Sequence, residues 1–162
     1  MLSNRKKSVD LKQLRWIKNV NNPEGGWVYG HDEVCYPYLV PEFPLHWKIN
    51  AKENAYKPNP GDFILLCQRM RVTHLVKILD EFVHDDSPYQ EYPFYRRVQV
   101  MWMAAKPWDK APQQKEVFGF DFRFRGGKAI DLENVTALQE YFGEGEFAAF
   151  RERVKEKLGL LN

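Results

Sequence analysis

The apolar positions of this chain change period along its length. In the middle they come in short continuous runs; near the end they recur at spacings of three and four. Leu14-Arg-Trp-Ile-Lys-Asn-Val20 mixes apolar and polar residues and predicts a first strand, stopped by the turn chemistry of Asn21-Asn22-Pro23-Glu24-Gly25-Gly26. Phe63-Ile-Leu-Leu-Cys-Gln68 and Val72-Thr-His-Leu-Val-Lys-Ile-Leu79 predict two buried strands, paired as a hairpin through Arg69-Met70-Arg71. Arg96 to Met103 predicts another strand. Val117-Phe-Gly-Phe-Asp-Phe-Arg-Phe124 alternates strictly, with Phe118, Phe120, Phe122 and Phe124 on one side, and predicts a half-buried strand. Asp131 is placed to cap a helix carrying Val135, Leu138 and Phe142. A last helix places Phe147, Phe150, Val154 and Leu158 on one core-facing stripe.

Between the first strand and the hairpin lies a different kind of sequence. Residues 27–45 carry Trp27, Tyr29, Tyr36, Pro37, Tyr38, Pro41, Phe43 and Pro44, and proline at that density forbids a regular helix. A long irregular connection is predicted there, with an aromatic load suited to a protein partner. His46 to Asn50 is a short ordered patch after it. About five strands in the middle and helices late make an α+β chain rather than a βαβ series. A small, strongly curled sheet of this kind tends to close or nearly close into a barrel.

At 162 residues the chain fits one domain able to bury its own core. Residues 1–10 read as a mobile basic tail and 11–162 as a single domain. No apolar run approaches a membrane span, so no membrane partner is expected. No apolar segment follows Arg5-Lys6-Lys7, which argues against a secretory signal and for the cytoplasm. Net charge is only +2, yet Arg5, Lys6, Lys7, Lys12, Arg15 and Lys18 face a lone Asp10 in the first twenty residues. Such a basic end suits a polyanion such as nucleic acid.

The residues that carry catalysis or metals in other proteins are poorly organised here. His31, His46, His74 and His84 form no zinc spacing, and Cys35 and Cys67 no CxxC, so no metal and no cofactor is expected. The densest ligand-type clusters are His31-Asp32-Glu33 with Cys35, and His84-Asp85-Asp86. Cys35 near His31 lacks the context of a catalytic thiol, and no nucleophile elbow or phosphate loop is present, so no catalytic residue is assigned. The five tryptophans, Trp16, Trp27, Trp47, Trp102 and Trp108, say more. Indoles fill small cores, and they also stack on nucleobases.

Trp16-Ile17 closing a first strand, Asn22-Pro23, Trp47-Lys48-Ile49-Asn50, and Gly61-Asp62 before an apolar strand stand in an order that resembles the EVE domain family. The resemblance spans roughly residues 14–103, with Val72–Leu79 where that family returns with its second barrel strand. It departs from the family in the longer 27–45 segment and in its C-terminal third. The resemblance implies a PUA-like fold, a small mixed barrel of five to six strands with flanking helices, related to YTH and ASCH domains. It also implies a non-catalytic reader of DNA or RNA that takes a modified or flipped base into an aromatic pocket. On this chain the base would meet Trp16, Asn21, Asn22, Trp27, Trp47, Asn50 and Trp102, and phosphates would meet Lys18, Arg96 and Arg97. Two alternatives stay open. One is a small ASCH-type ribonuclease using Arg96, Arg97, Tyr95 and Lys18; the other is a protein-interaction module using residues 27–45.

Overall fold

The computed structural model describes residues 9–22, 24–30, 42–143 and 146–160. Among them six strands build one mixed sheet: β1 (Leu14–Asn19), β2 (Glu42–Trp47), β3 (Phe63–Gln68), β4 (Arg71–Ile78), β5 (Phe94–Met103) and β6 (Ala129–Asp131). Four helices accompany it among the described residues: α1 (Lys52–Tyr56), α2 (Gln114–Phe118), α3 (Thr136–Phe142) and α4 (Glu146–Lys157). The spatial order is β2-β5-β4-β3-β1-β6. β1 runs parallel to β3, and every other pairing is antiparallel.

Burial explains the order. All six residues of β3 are buried, as its unbroken apolar run requires of a central strand. The β3–β4 hairpin turns through Arg69 and Met70, both at positive φ, the conformation that matches the strand twist in a two-residue turn. Among the described strands β2 lies at the edge, where Pro44 is tolerated because its missing N–H faces no described neighbour. The last residues of the proline-rich segment are therefore strand, not irregular connection. Its residues 31–41 lie outside the described residues.

The sheet curls and divides two packed layers. On one face Leu14, Ile17, Leu65 and Leu75 pack against Val117, Leu138, Phe150 and Val154 of the helices. On the concave face Trp16, Leu45, Trp47, Ile64, Leu66, Val76 and Val98 pack with Ala51 and Ala55 beside α1. The stripe predicted for α4 buries Phe150, Val154 and Leu158. Val9 is buried in the helix-covered layer, so packed structure reaches into the segment predicted as a tail.

The phenylalanine segment corrects its prediction. Residues 117 and 118 end α2, Gly119 caps it at φ +85°, and no strand forms over 117–124. A Cβ at Gly119 would come within 2.6 Å of Arg153 Nε. The alternation survives without a sheet: successive rings from Phe118 to Phe124 lie 6.5, 6.1 and 5.4 Å apart along the helix-covered layer. β6 already occupies the edge beside β1, and side-chain amides take carbonyls that a neighbouring strand would otherwise bond. Gln114 donates to the Phe122 carbonyl and Asn19 to that of Phe124. Asp131 caps as predicted, but it caps a 3-10 turn at Leu132–Asn134, and α3 begins only at Thr136.

Candidate nucleic-acid interface

Trp16 and Lys18 lie two residues apart on β1, so both side chains point into the curl. Trp47 ends β2 and is fully buried opposite them. The Lys18 ammonium sits 4.8 Å from the Trp47 ring centroid and donates to the Gly127 carbonyl. Lys18 is only 3% exposed and forms no ion pair among the described residues. Burial pushes its pKa down to about 7, and the positive Lys48 nearby adds to the shift. The same burial lowers His46, with the Lys18 charge as the second cause.

Asn54 of α1 closes this interior. It accepts from Trp47 Nε1 at 2.8 Å and from the Ala129 N–H at 2.7 Å, and donates to the Ala129 carbonyl at 2.9 Å. Its carboxamide thus pairs with the backbone of β6 as another strand would, and ties that edge to the end of β2. The Trp16 indole is held in the same way, donating to Asp62 at 2.8 Å. Neither indole face is open: Trp16 is 4% exposed and Trp47 wholly buried.

The other tryptophans gather elsewhere. Trp27 is half-buried, under the Arg69 guanidinium and edge-on to Trp108. Beneath them a buried polar chain fixes Val28 and Tyr29. Gln68 clamps both backbone groups of Val28 and donates to Thr73, whose hydroxyl meets His74 Nδ1, while His74 Nε2 meets the Tyr29 carbonyl at 3.1 Å. Burial lowers the His74 pKa to about 4, so it stays neutral near pH 7. Tyr29 holds φ +61°, stacks on Phe43 at 4.5 Å and accepts from the N–H of His46.

Trp102 is half-buried on β5 and lines a groove of about 490 Å³ between residues 104–112 and the end of α4. Lys106, Lys110 and Lys157 stand around it with Glu156, and Ala104, Ala111 and Leu158 supply buried apolar wall. A second groove, of about 300 Å³, lies between the Leu132–Asn134 turn, α3 and α4, with Arg151 as its cation.

Of the remaining predicted contacts, Asn21 and Asn50 are exposed. Asn22 accepts from the Glu24 N–H within its own turn. Arg97 is 48% exposed and lies 3.4 Å from Glu42. Arg96 is buried instead: its guanidinium meets Asp80 at 2.7 Å and the carbonyls of Ala55, Pro58 and Asp80. It ties β5 to α1, and its donors face these partners rather than a phosphate. Tyr95 points outward with Arg97, its hydroxyl on Asp86 at 2.6 Å, so the four groups of the ribonuclease reading do not converge.

Among the described residues no group of three or more His, Cys, Asp or Glu is gathered as a metal ion would need. His84 meets Asp80 at 2.9 Å, whereas Asp86 receives Tyr95. His31, Asp32, Glu33 and Cys35 lie outside the described residues. Cys67 is buried, and burial raises its thiol pKa far above the ordinary value. No helix among the described residues is long and apolar enough to cross a membrane. Asn54 and Gly127 carry no local sequence signal, since each works through a partner far away in the chain. Comparison of the chain with family models, with curated proteins and with solved structures finds no match.

Proposed function

We propose that this protein is a non-catalytic nucleic-acid-binding module of PUA-like architecture. It takes a modified or flipped base of DNA or RNA at the mouth of its curled sheet. The observation that carries this reading is Lys18, a buried ammonium on the face of Trp47 that meets, among the described residues, one carbonyl for its N–H donors. Holding a charge in such a place costs stability, and groups kept at that cost cluster at functional sites. A nucleobase offers carbonyl and ring-nitrogen acceptors for the remaining donors. Gly127 belongs to a segment without regular structure, which can yield to an incoming ring. The EVE-like order of Trp16, Asn22-Pro23, Trp47–Asn50 and Gly61-Asp62, and the curled mixed sheet, agree with this reading.

The test is tryptophan fluorescence titration with short single strands, plain or carrying methylated or hydroxymethylated bases. The wild type is expected to quench more with one modified strand than with its plain counterpart. Lys18→Met, which keeps the length and removes the charge, is expected to abolish that difference with the circular dichroism unchanged. Equal quenching by modified and plain strands, or a Lys18→Met protein that still discriminates, contradicts the reading.

A further inference from the structure

We propose that the groove beside Trp102 is a second nucleic-acid contact, which holds one nucleotide of the same single strand outside the curl. The inference rests on the nucleic-acid reading above and adds a site to it. Trp102 is half-buried and lines the groove, with Leu158 as a further apolar lining residue. Lys110 and Lys157 are exposed at its rim and form no ion pair among the described residues; Lys106 stands beside them, and among the described lining residues Glu156 is the one acidic side chain. Apolar wall with a positive rim suits a ligand that is flat on one side and anionic on the other. A nucleotide is such a ligand: its base stacks on an indole and its phosphate lies between ammonium groups.

The groove is built before any ligand arrives. Trp108 Nε1 donates to the Ala104 carbonyl at 2.9 Å, Arg71 to that of Ala111 at 2.6 Å, and the Val72 N–H to that of Pro112 at 2.9 Å. The loop is thereby fastened to the start of β4, and a ligand need not order it. The single strand is the favoured occupant because the rim is cationic while the wall includes an aromatic ring. An acidic peptide satisfies only the first of these.

The test uses the full chain and a fluorescein-labelled ten-residue oligothymidine, titrated at several salt concentrations. Removing one phosphate-binding charge reduces the slope of log K against log salt by about 0.7 for a single strand, so Lys110→Gln/Lys157→Gln is expected to lower it by about 1.4. About tenfold weaker binding at low salt accompanies that change. Trp102→Phe, which keeps an aromatic filler in place, is expected to reduce the tryptophan quenching. An unchanged slope in the double variant overturns the groove, and leaves the reading of the curl intact if Lys18→Met still loses discrimination. A wild type that binds no strand overturns both. An acidic peptide that displaces the oligonucleotide at equal concentration overturns the choice of ligand.

Discussion

The two faces of the sheet are packed by different rules. The helix-covered layer is packed mainly by apolar side chains, with Phe118, Phe150, Val154 and their neighbours closing over Ile17 and Leu65. The concave side holds Lys18, Asn54, Gln68, Thr73, His74 and Arg96, six of the seven buried polar or charged side chains among the described residues. Gln114, the seventh, belongs to α2. A face that serves stability alone needs no buried lysine, since an apolar residue of similar volume is as good or better there. One layer is held by apolar contact, and the other also holds hydrogen-bonded groups in a fixed arrangement.

The first way to break this comparison is at Asn54. Asn54→Ala leaves the Trp47 indole N–H and both backbone groups of Ala129 unpaired in the interior, at about 1–3 kcal/mol each. A loss of about 5 kcal/mol is expected in urea unfolding. On the helix-covered face Phe150→Ala is expected to cost about 4 kcal/mol through its cavity, without changing which strands the protein binds. If Asn54→Ala proves cheaper than a surface substitution, the polar interior is not an organised site.

Lys18 reverses the sign. Its folded pKa, about 7, lies below the ordinary 10.5, so charge on it destabilises the fold. That penalty is fully present below pH 7 and is relieved as the pH rises toward 10.5. Stability is expected to climb through that window by a few kcal/mol. Lys18→Met is expected to raise stability near neutral pH by about 2 kcal/mol and to flatten the climb. His74, lowered to about 4 by burial, acts in the acid range: the folded interior disfavours its charged form, so stability falls as pH drops from about 6.5 to 4. Unfolding midpoints measured from about pH 4 to 10 separate the two. A Lys18→Met protein with the wild-type alkaline slope would assign that slope to another group.

The helix-covered layer is largely legible in the sequence, because its information is local. β3 and β4 are apolar runs, and the α4 stripe repeats at helical spacing. The phenylalanine segment misleads because alternation marks one buried side, not the presence of a neighbouring strand. The concave face is legible only in part. Trp16, Lys18 and Trp47 stand out in the sequence, but as open stacking and phosphate contacts rather than as a buried cation on an enclosed ring. Asn54 meets its partner 75 residues away at Ala129, and β6 is three residues long, so neither leaves a periodic pattern. Arg96 reads as a surface charge because its carboxylate lies 16 residues back, beyond any helical or strand spacing. Long-range polar pairing is set by the fold and does not show in the neighbourhood of either residue.

The most direct test of the account is the titration of the Lys18 ammonium by NMR, with lysine labelled at the side chain, in the unliganded protein and with a saturating modified oligonucleotide. A midpoint near 7 is expected in the unliganded protein, moving upward when a base supplies acceptors beyond the Gly127 carbonyl. A midpoint that stays in place while the strand is bound would contradict it, and would make Lys18 a part of the scaffold.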